Sequence, residues 1–173
     1  MNQPLRRIVL TGFMGAGKTT VAESLASHFD CRMVDLDALI AGREGRSIAT
    51  IIDNDGEARF REIESRALVD TLEFKAVRVI ALGGGTWTLE NNRVLIEEQD
   101  CLTVWLDAPF ELCWKRICSE GNLRPLARDK ETAQRLFDLR RTSYALATLC
   151  VVVSEENSVE DLTARIIEAL PVS

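Results

Sequence analysis

Apolar and polar positions follow two alternating rhythms along this chain. Short apolar, often β-branched runs of strand type recur at Arg6–Thr11, Cys31–Asp35, Val77–Leu82, Cys101–Leu106 and Leu149–Val153. Between them, apolar residues return every three or four positions, the spacing of one helical face. This predicts a helix to about Phe29, a short one over Leu36–Gly42, and a turn or two carrying Ile48, Ile51 and Ile52. A long helix follows from Glu57 to Phe74, with Phe60, Ile63, Ala67, Leu68 and Leu72 on one side, and Gly45 and Gly56 break the pattern before it. Later helices are expected near Leu89–Glu98, from Pro109 to Cys118, over Glu131–Thr148 and over Ser158–Leu170. Pro109 suits a first helical turn and Ser158 an N-cap. Strands alternating with helices imply an α/β fold: a five-stranded parallel sheet with helices on both faces, binding ligands beyond the C-terminal strand ends. No repeat, low-complexity tract or linker interrupts it, so residues 1–173 read as a single domain.

The first strand-to-helix junction is the most specific stretch. Gly12-Phe13-Met14-Gly15-Ala16-Gly17-Lys18-Thr19 fits G-x-x-x-x-G-K-[ST], the phosphate-binding P-loop, in the strand–turn–helix setting the motif requires. The backbone N–H groups from Gly15 to Thr20 can close around phosphate oxygens, aided by the helix dipole. Lys18 can reach the β- and γ-phosphates of ATP, and the Thr19 hydroxyl can ligate Mg²⁺.

Composition narrows the partners. A net charge of −6 leaves no basic footprint for nucleic acid or an anionic membrane, so an anionic ligand must be held by local positive charge. Five cysteines without a C-x-x-C pair, and a lone His28, argue against a zinc site or a disulfide framework. They read as reduced, mostly buried thiols of a cytosolic protein. The apolar run after Arg7 is too short for a signal-peptide core, and none reaches membrane-span length.

The remaining candidates fall at C-terminal strand ends or in loops on the same edge. Asp35 and Asp37, two apart in an extended chain, would face one way: one for Mg²⁺, the other to accept a hydroxyl proton. The alternative is a helix N-cap or a first-turn acid. Arg61 and Glu64 share a helical face, either as a carboxylate grip with its orienting partner or as a solvated ion pair. Gly83-Gly84-Gly85 either offers backbone N–H groups and close approach to an anion or is a flexible turn. Arg124, in the polar loop Ser119–Lys130, is either a charge-stabilising arginine on a closing lid or a surface residue. One of Arg140 and Arg141 suits a second substrate clamp. Cys113, Cys118, Trp87, Trp105 and Trp114 read as packing or incidental positions.

Together these residues resemble shikimate kinase from about Arg6 to Leu170. The matching pieces, in order, are Gly12–Thr19, Asp35-Leu36-Asp37, Gly56-Glu57 with Phe60-Arg61 and Glu64, Gly83–Gly85, Arg124-Pro125-Leu126, and Arg140 four before Tyr144. The resemblance implies a nucleoside-monophosphate-kinase-like P-loop fold with a substrate region at about 36–64 and a lid at about 119–130. It implies transfer of the ATP γ-phosphoryl group to the 3-hydroxyl of shikimate, with Mg²⁺, in a cytoplasmic monomer. Gly15, Ala16, Gly17, Lys18, Thr19 and Thr20 then hold ATP, with Arg116 against adenine and Arg124 at the phosphates. Thr19 and Asp35 serve the metal. Asp37, Arg61, Gly83, Gly84, Gly85 and Arg140 hold shikimate, Glu64 orients Arg61, and Lys18, Asp37 and Arg124 carry the chemistry. Ile52 stands where the family commonly has phenylalanine, and Thr142-Ser143 where it has Pro-Leu, so both bear on pocket shape. A gluconate-type or nucleoside kinase, and a catalytically inactive nucleotide-binding regulator, are the competing readings; the paired arginines favour a carboxylate-bearing acceptor.

Overall fold

A computed structural model describes residues 6–121 and 126–170. Five parallel strands form one sheet in the order β2-β3-β1-β4-β5. They are β1 (Ile8–Thr11), β2 (Arg32–Asp35), β3 (Val77–Ala81), β4 (Leu102–Asp107) and β5 (Leu149–Val152). The central strand, β1, is buried throughout, as its unbroken apolar run Ile8-Val9-Leu10 requires. It pairs on one side with β3, Ile8 opposite Val79, and on the other with β4, Ile8 opposite Leu102. Its C-terminal end therefore lies between those of β3 and β4, and that edge carries the site.

The helices are α1 (Lys18–His28), α2 (Leu36–Glu44), α3 (Ile48–Asp55), α4 (Glu57–Glu73), α5 (Glu90–Glu98), α6 (Phe110–Ser119), α7 (Lys130–Tyr144) and α8 (Val159–Glu168), with a 3₁₀ turn at Thr86–Thr88. From β1 the chain steps over β3 to β2, and every later step along the sheet runs the other way. Right-handed crossovers then place α1 on one face and α2–α7 on the other. α8 returns to pack on α1, while α4 gathers α2, α3 and α5. Among the described residues, no helix is long and apolar enough to cross a membrane.

Three expectations are corrected. The helix expected over Glu131–Thr148 ends at Tyr144, because the Ser143 carbonyl receives the Trp87 indole N–H at 2.9 Å and the Thr148 N–H turns to Thr103 Oγ1 at 2.9 Å. Pro109 is the N-cap of α6 rather than part of its first turn. Asp37 does not share an extended strand with Asp35: β2 stops at Asp35, and Asp37 sits in the first turn of α2. Ser158 caps α8 as expected, in a reciprocal capping box with Asp161.

Candidate active site

The P-loop leaves β1 at Thr11 and enters α1 at Lys18. Its shape depends on glycine at two places in particular. Gly15 has φ +78°, and a Cβ there would lie 2.7 Å from the Cys113 carbonyl oxygen of α6. Gly17, the N-cap of α1, has φ +98° and offers no side chain of its own. Phe13 anchors the loop: it is 2% exposed, with its ring set edge-on to Phe137 at 5.2 Å and tilted on Phe110 at 6.5 Å. Arg116 of α6 donates to the Gly15 carbonyl at 3.0 Å. Lys18 Nζ donates to the carbonyls of Gly12 at 2.8 Å and Phe13 at 3.0 Å, so its charge lies over the loop.

Asp35 makes the helix cap that the sequence offered as the alternative to a metal role, and turns its other oxygen to Thr19. Its Oδ1 accepts the Ala38 N–H at 3.0 Å and caps α2, while its Oδ2 accepts the Thr19 hydroxyl at 2.5 Å. Thr19 and Asp35 thus place two oxygen donors together beside the P-loop, a set that suits a hard cation. Among the described residues, no group of three or more His, Cys, Asp or Glu side chains could hold a metal ion. That fits Mg²⁺, which keeps several waters and takes few protein ligands beside phosphate oxygens.

Opposite the P-loop, α4 and α7 bring two arginines together. Arg61 Nη1 pairs with Glu64 Oε2 at 2.7 Å and Nη2 with Glu57 Oε1 at 3.3 Å, while its guanidinium sits 5.2 Å from the Phe60 ring centroid. Burial opposes its charge, but Glu64 and then Glu57 hold its pKa above the ordinary guanidinium value. Arg140 is 6% exposed and forms no ion pair among the described residues. Burial lowers its pKa; Tyr144 partly offsets this, and the charge of Arg61 adds to it. An anion beside Arg140 would relieve that cost to its charge. Tyr144, one turn beyond Arg140, donates its hydroxyl to the Gly84 carbonyl at 2.5 Å, and burial pushes its pKa up to about 12.

Gly83–Gly85 closes the gap between these groups. The sequence suggested backbone donors and close approach of an anion; what approaches is the protein's own charged side chains. A Cβ on Gly83 would meet Asp37 Oδ1 and Glu64 Oε1, one on Gly84 would meet Arg140 Nη1 at 3.3 Å, and one on Gly85 would overlap the Arg61 guanidinium.

A cavity of about 270 Å³ joins the two sides. Gly15, Gly17, Lys18, Thr19, Thr20, Asp35, Asp37, Arg61, Glu64, Gly83, Gly84, Gly85 and Arg140 all line it. Ala16, 1% exposed, packs beneath the loop, and Arg116 is tied to the loop outside the lining. Arg124 lies outside the described residues. Ile52 lines the cavity, whereas Thr142 and Ser143 do not; they border a groove behind the arginines. Sequence reasoning missed the apolar wall of Met14, Ile48, Phe60, Leu82 and Leu126. It named Glu57 in the motif but gave it no role, though its i,i+4 spacing to Arg61 was a usable signal. Thr86, whose hydroxyl donates to Glu64 Oε1 at 2.6 Å, carried no signal beyond its place after the glycines.

The chain is similar to known proteins over most of its length. The sequence profile of shikimate kinase matches residues 14–171. A shikimate kinase of Ruegeria pomeroyi is 38% identical, over 95% of this chain and 85% of its own. One from Lactococcus lactis subsp. cremoris is 41% identical, over 93% of this chain and 96% of its own. The structure of shikimate kinase from Acinetobacter baumannii in complex with shikimate superposes with a TM-score of 0.86 at 32% identity, covering 95% of this chain and 92% of that one. A P-loop facing a paired-arginine cavity, in a chain alike over nearly its whole length, leaves one conclusion: the protein belongs to the shikimate kinase family.

Proposed function

We propose that this protein transfers the γ-phosphoryl group of ATP to the 3-hydroxyl of shikimate, giving shikimate 3-phosphate, with its cavity residues dividing the work as follows. The P-loop N–H groups and Lys18 hold the phosphates; Lys18 exchanges the Gly12 and Phe13 carbonyls for phosphate oxygens. Thr19 and Asp35 would hold Mg²⁺, which neutralises phosphate charge when bound. Arg61 and Arg140 grip the acceptor carboxylate, and Glu64 fixes Arg61. Asp37 accepts a hydrogen bond from the acceptor hydroxyl, and takes its proton as the phosphoryl group arrives. A loose transition state asks more of positioning than of proton removal, so Asp37 acts mainly by orientation. Arg124 completes the phosphate side on the strength of the sequence match. The proposal includes a cytoplasmic monomer working on small molecules.

One observation carries the acceptor class: two guanidiniums border one small cavity whose other end is the P-loop, and one of them, Arg140, forms no ion pair among the described residues. A coupled ADP-release assay with shikimate, gluconate and a nucleoside panel tests it. Shikimate-dependent ADP formation is expected. ADP formation with another acceptor and none with shikimate would overturn the substrate, and ATP binding without turnover would favour a regulatory protein.

A further inference from the structure

Glu64 is engaged at both oxygens, and only one of them meets Arg61. The carboxylate is 1% exposed. Oε2 takes Arg61 Nη1 at 2.7 Å, and Oε1 takes the Thr86 hydroxyl at 2.6 Å. Thr86 is itself fully buried, and its carbonyl accepts Asn92 Nδ2 from α5 at 3.1 Å. Its neighbour Trp87 bonds α7 through the Ser143 carbonyl. The 3₁₀ turn thus stands between the two arginine-bearing helices and is fixed to both.

We infer that Thr86 is a positioning residue for the acceptor carboxylate: by occupying Glu64 Oε1 it limits Glu64 to one bond with Arg61, so that the guanidinium donors held by neither Glu64 nor Glu57 stay available to the substrate. The inference rests on the reading of Arg61 as the carboxylate clamp. Its physics is that of a fork. Guanidinium and carboxylate prefer two parallel N–H···O bonds. A buried Oε1 without a donor is costly, so it would draw a second Arg61 N–H to itself. The Phe60 ring on one side and the Gly85 backbone directly against it confine that movement to a turn toward Glu64. The result would be a guanidinium satisfied within the protein and aimed away from the cavity.

The test compares Thr86→Val, which keeps the branched shape and removes the donor, with Thr86→Ser, which keeps the donor. Thr86→Val is expected to raise the shikimate KM about tenfold while kcat and the ATP KM stay within about twofold. Thr86→Ser should return the shikimate KM to within about threefold of the parent. In an Arg61→Ala background, Thr86→Val should add nothing, since the group it positions is gone. Thr86→Ala serves as a second donor-free variant should valine crowd the buried site. A shikimate KM within about twofold of the parent in both donor-free variants overturns the inference, as does an equal rise in both KM values that serine does not restore. Arg61→Ala alone separates the two layers. No rise in shikimate KM there removes the clamp reading itself; a rise there without one in Thr86→Val removes only the role of Thr86.

Discussion

A Cβ added at Gly83 would lie 2.7 Å from Asp37 Oδ1 and 2.9 Å from Glu64 Oε1. None of Gly83, Gly84 and Gly85 has positive φ, so the backbone itself would accept alanine at each. The constraint is spatial: the side chains of Asp37, Glu64, Arg140 and Arg61 occupy the volume that methyl groups would fill. Gly83→Ala is therefore expected to raise the shikimate KM at least about tenfold and leave ADP affinity within about threefold. Initial rates and calorimetric ADP titration check it; unchanged shikimate binding would show that Asp37 and Glu64 can move aside freely. The glycine run was legible in the sequence as a site, but its reason was not, because the atoms crowding it come from positions tens of residues away. Asp35 shows the same limit. A linear reading posed a helix cap and a metal role as rivals for it, since it does not show that a carboxylate's two oxygens face different elements, here α2 and Thr19.

Elements were readable where the cause is local and less so where it is not. The capping box of α8 is local: Ser158 Oγ accepts the Asp161 N–H at 3.1 Å, and Asp161 Oδ2 accepts the Ser158 N–H at 3.0 Å. Ser158 does not line the cavity, so Ser158→Ala should lower stability by about 1 kcal/mol with kcat unchanged. Urea unfolding with an unaltered m-value, beside a rate assay, measures this. The end of α7 is the opposite case. Ala145-Leu146-Ala147 continues a good helical sequence, and the helix stops because Trp87 and Thr103 reach it from other elements. The 3₁₀ turn at Thr86–Thr88 was likewise invisible, being too short for any periodicity. The aromatic set Phe13, Phe110 and Phe137 ties the P-loop to α6 and α7; each residue was legible as apolar, but their meeting was not.

For the molecule as a whole, a net negative charge coexists with a cluster of cations set among the acids of the site. A chain of −6 gathers Lys18, Arg61, Arg116 and Arg140 along one sheet edge. That contrast was legible from composition plus motif order, as was the parallel sheet. Two buried acids carry large shifts that bear on the molecule's response to alkali, and burial raises Cys101 as well. Burial pushes Cys113 up to about 11 and Tyr144 up to about 12, from ordinary values of 9.0 and 10.0. Above those ordinary values the unfolded chain has released protons that the folded chain still binds, so stability falls as pH rises. The slope approaches about 1.4 kcal/mol per pH unit for each group. The loss from Cys113 should span roughly pH 9 to 11, and that from Tyr144 roughly pH 10 to 12. Melting temperatures of the parent and Cys113→Ala between about pH 8 and about pH 10 separate the two, with a flatter curve expected for the variant. Identical slopes would mean that the thiol is not the source.

The sheet order also bears on how the protein is made. β1 carries the P-loop and is synthesised first, yet its hydrogen-bonding neighbours are β3 and β4, not β2. On the ribosome, the first strand waits for Val77–Ala81 before any ladder can close on it. Until then its buried run Ile8-Val9-Leu10 has no sheet to join. Nucleotide-binding competence is thus a late event in the life of the nascent chain, reached only after α2, α3 and α4, from Leu36 to Glu73, have been translated.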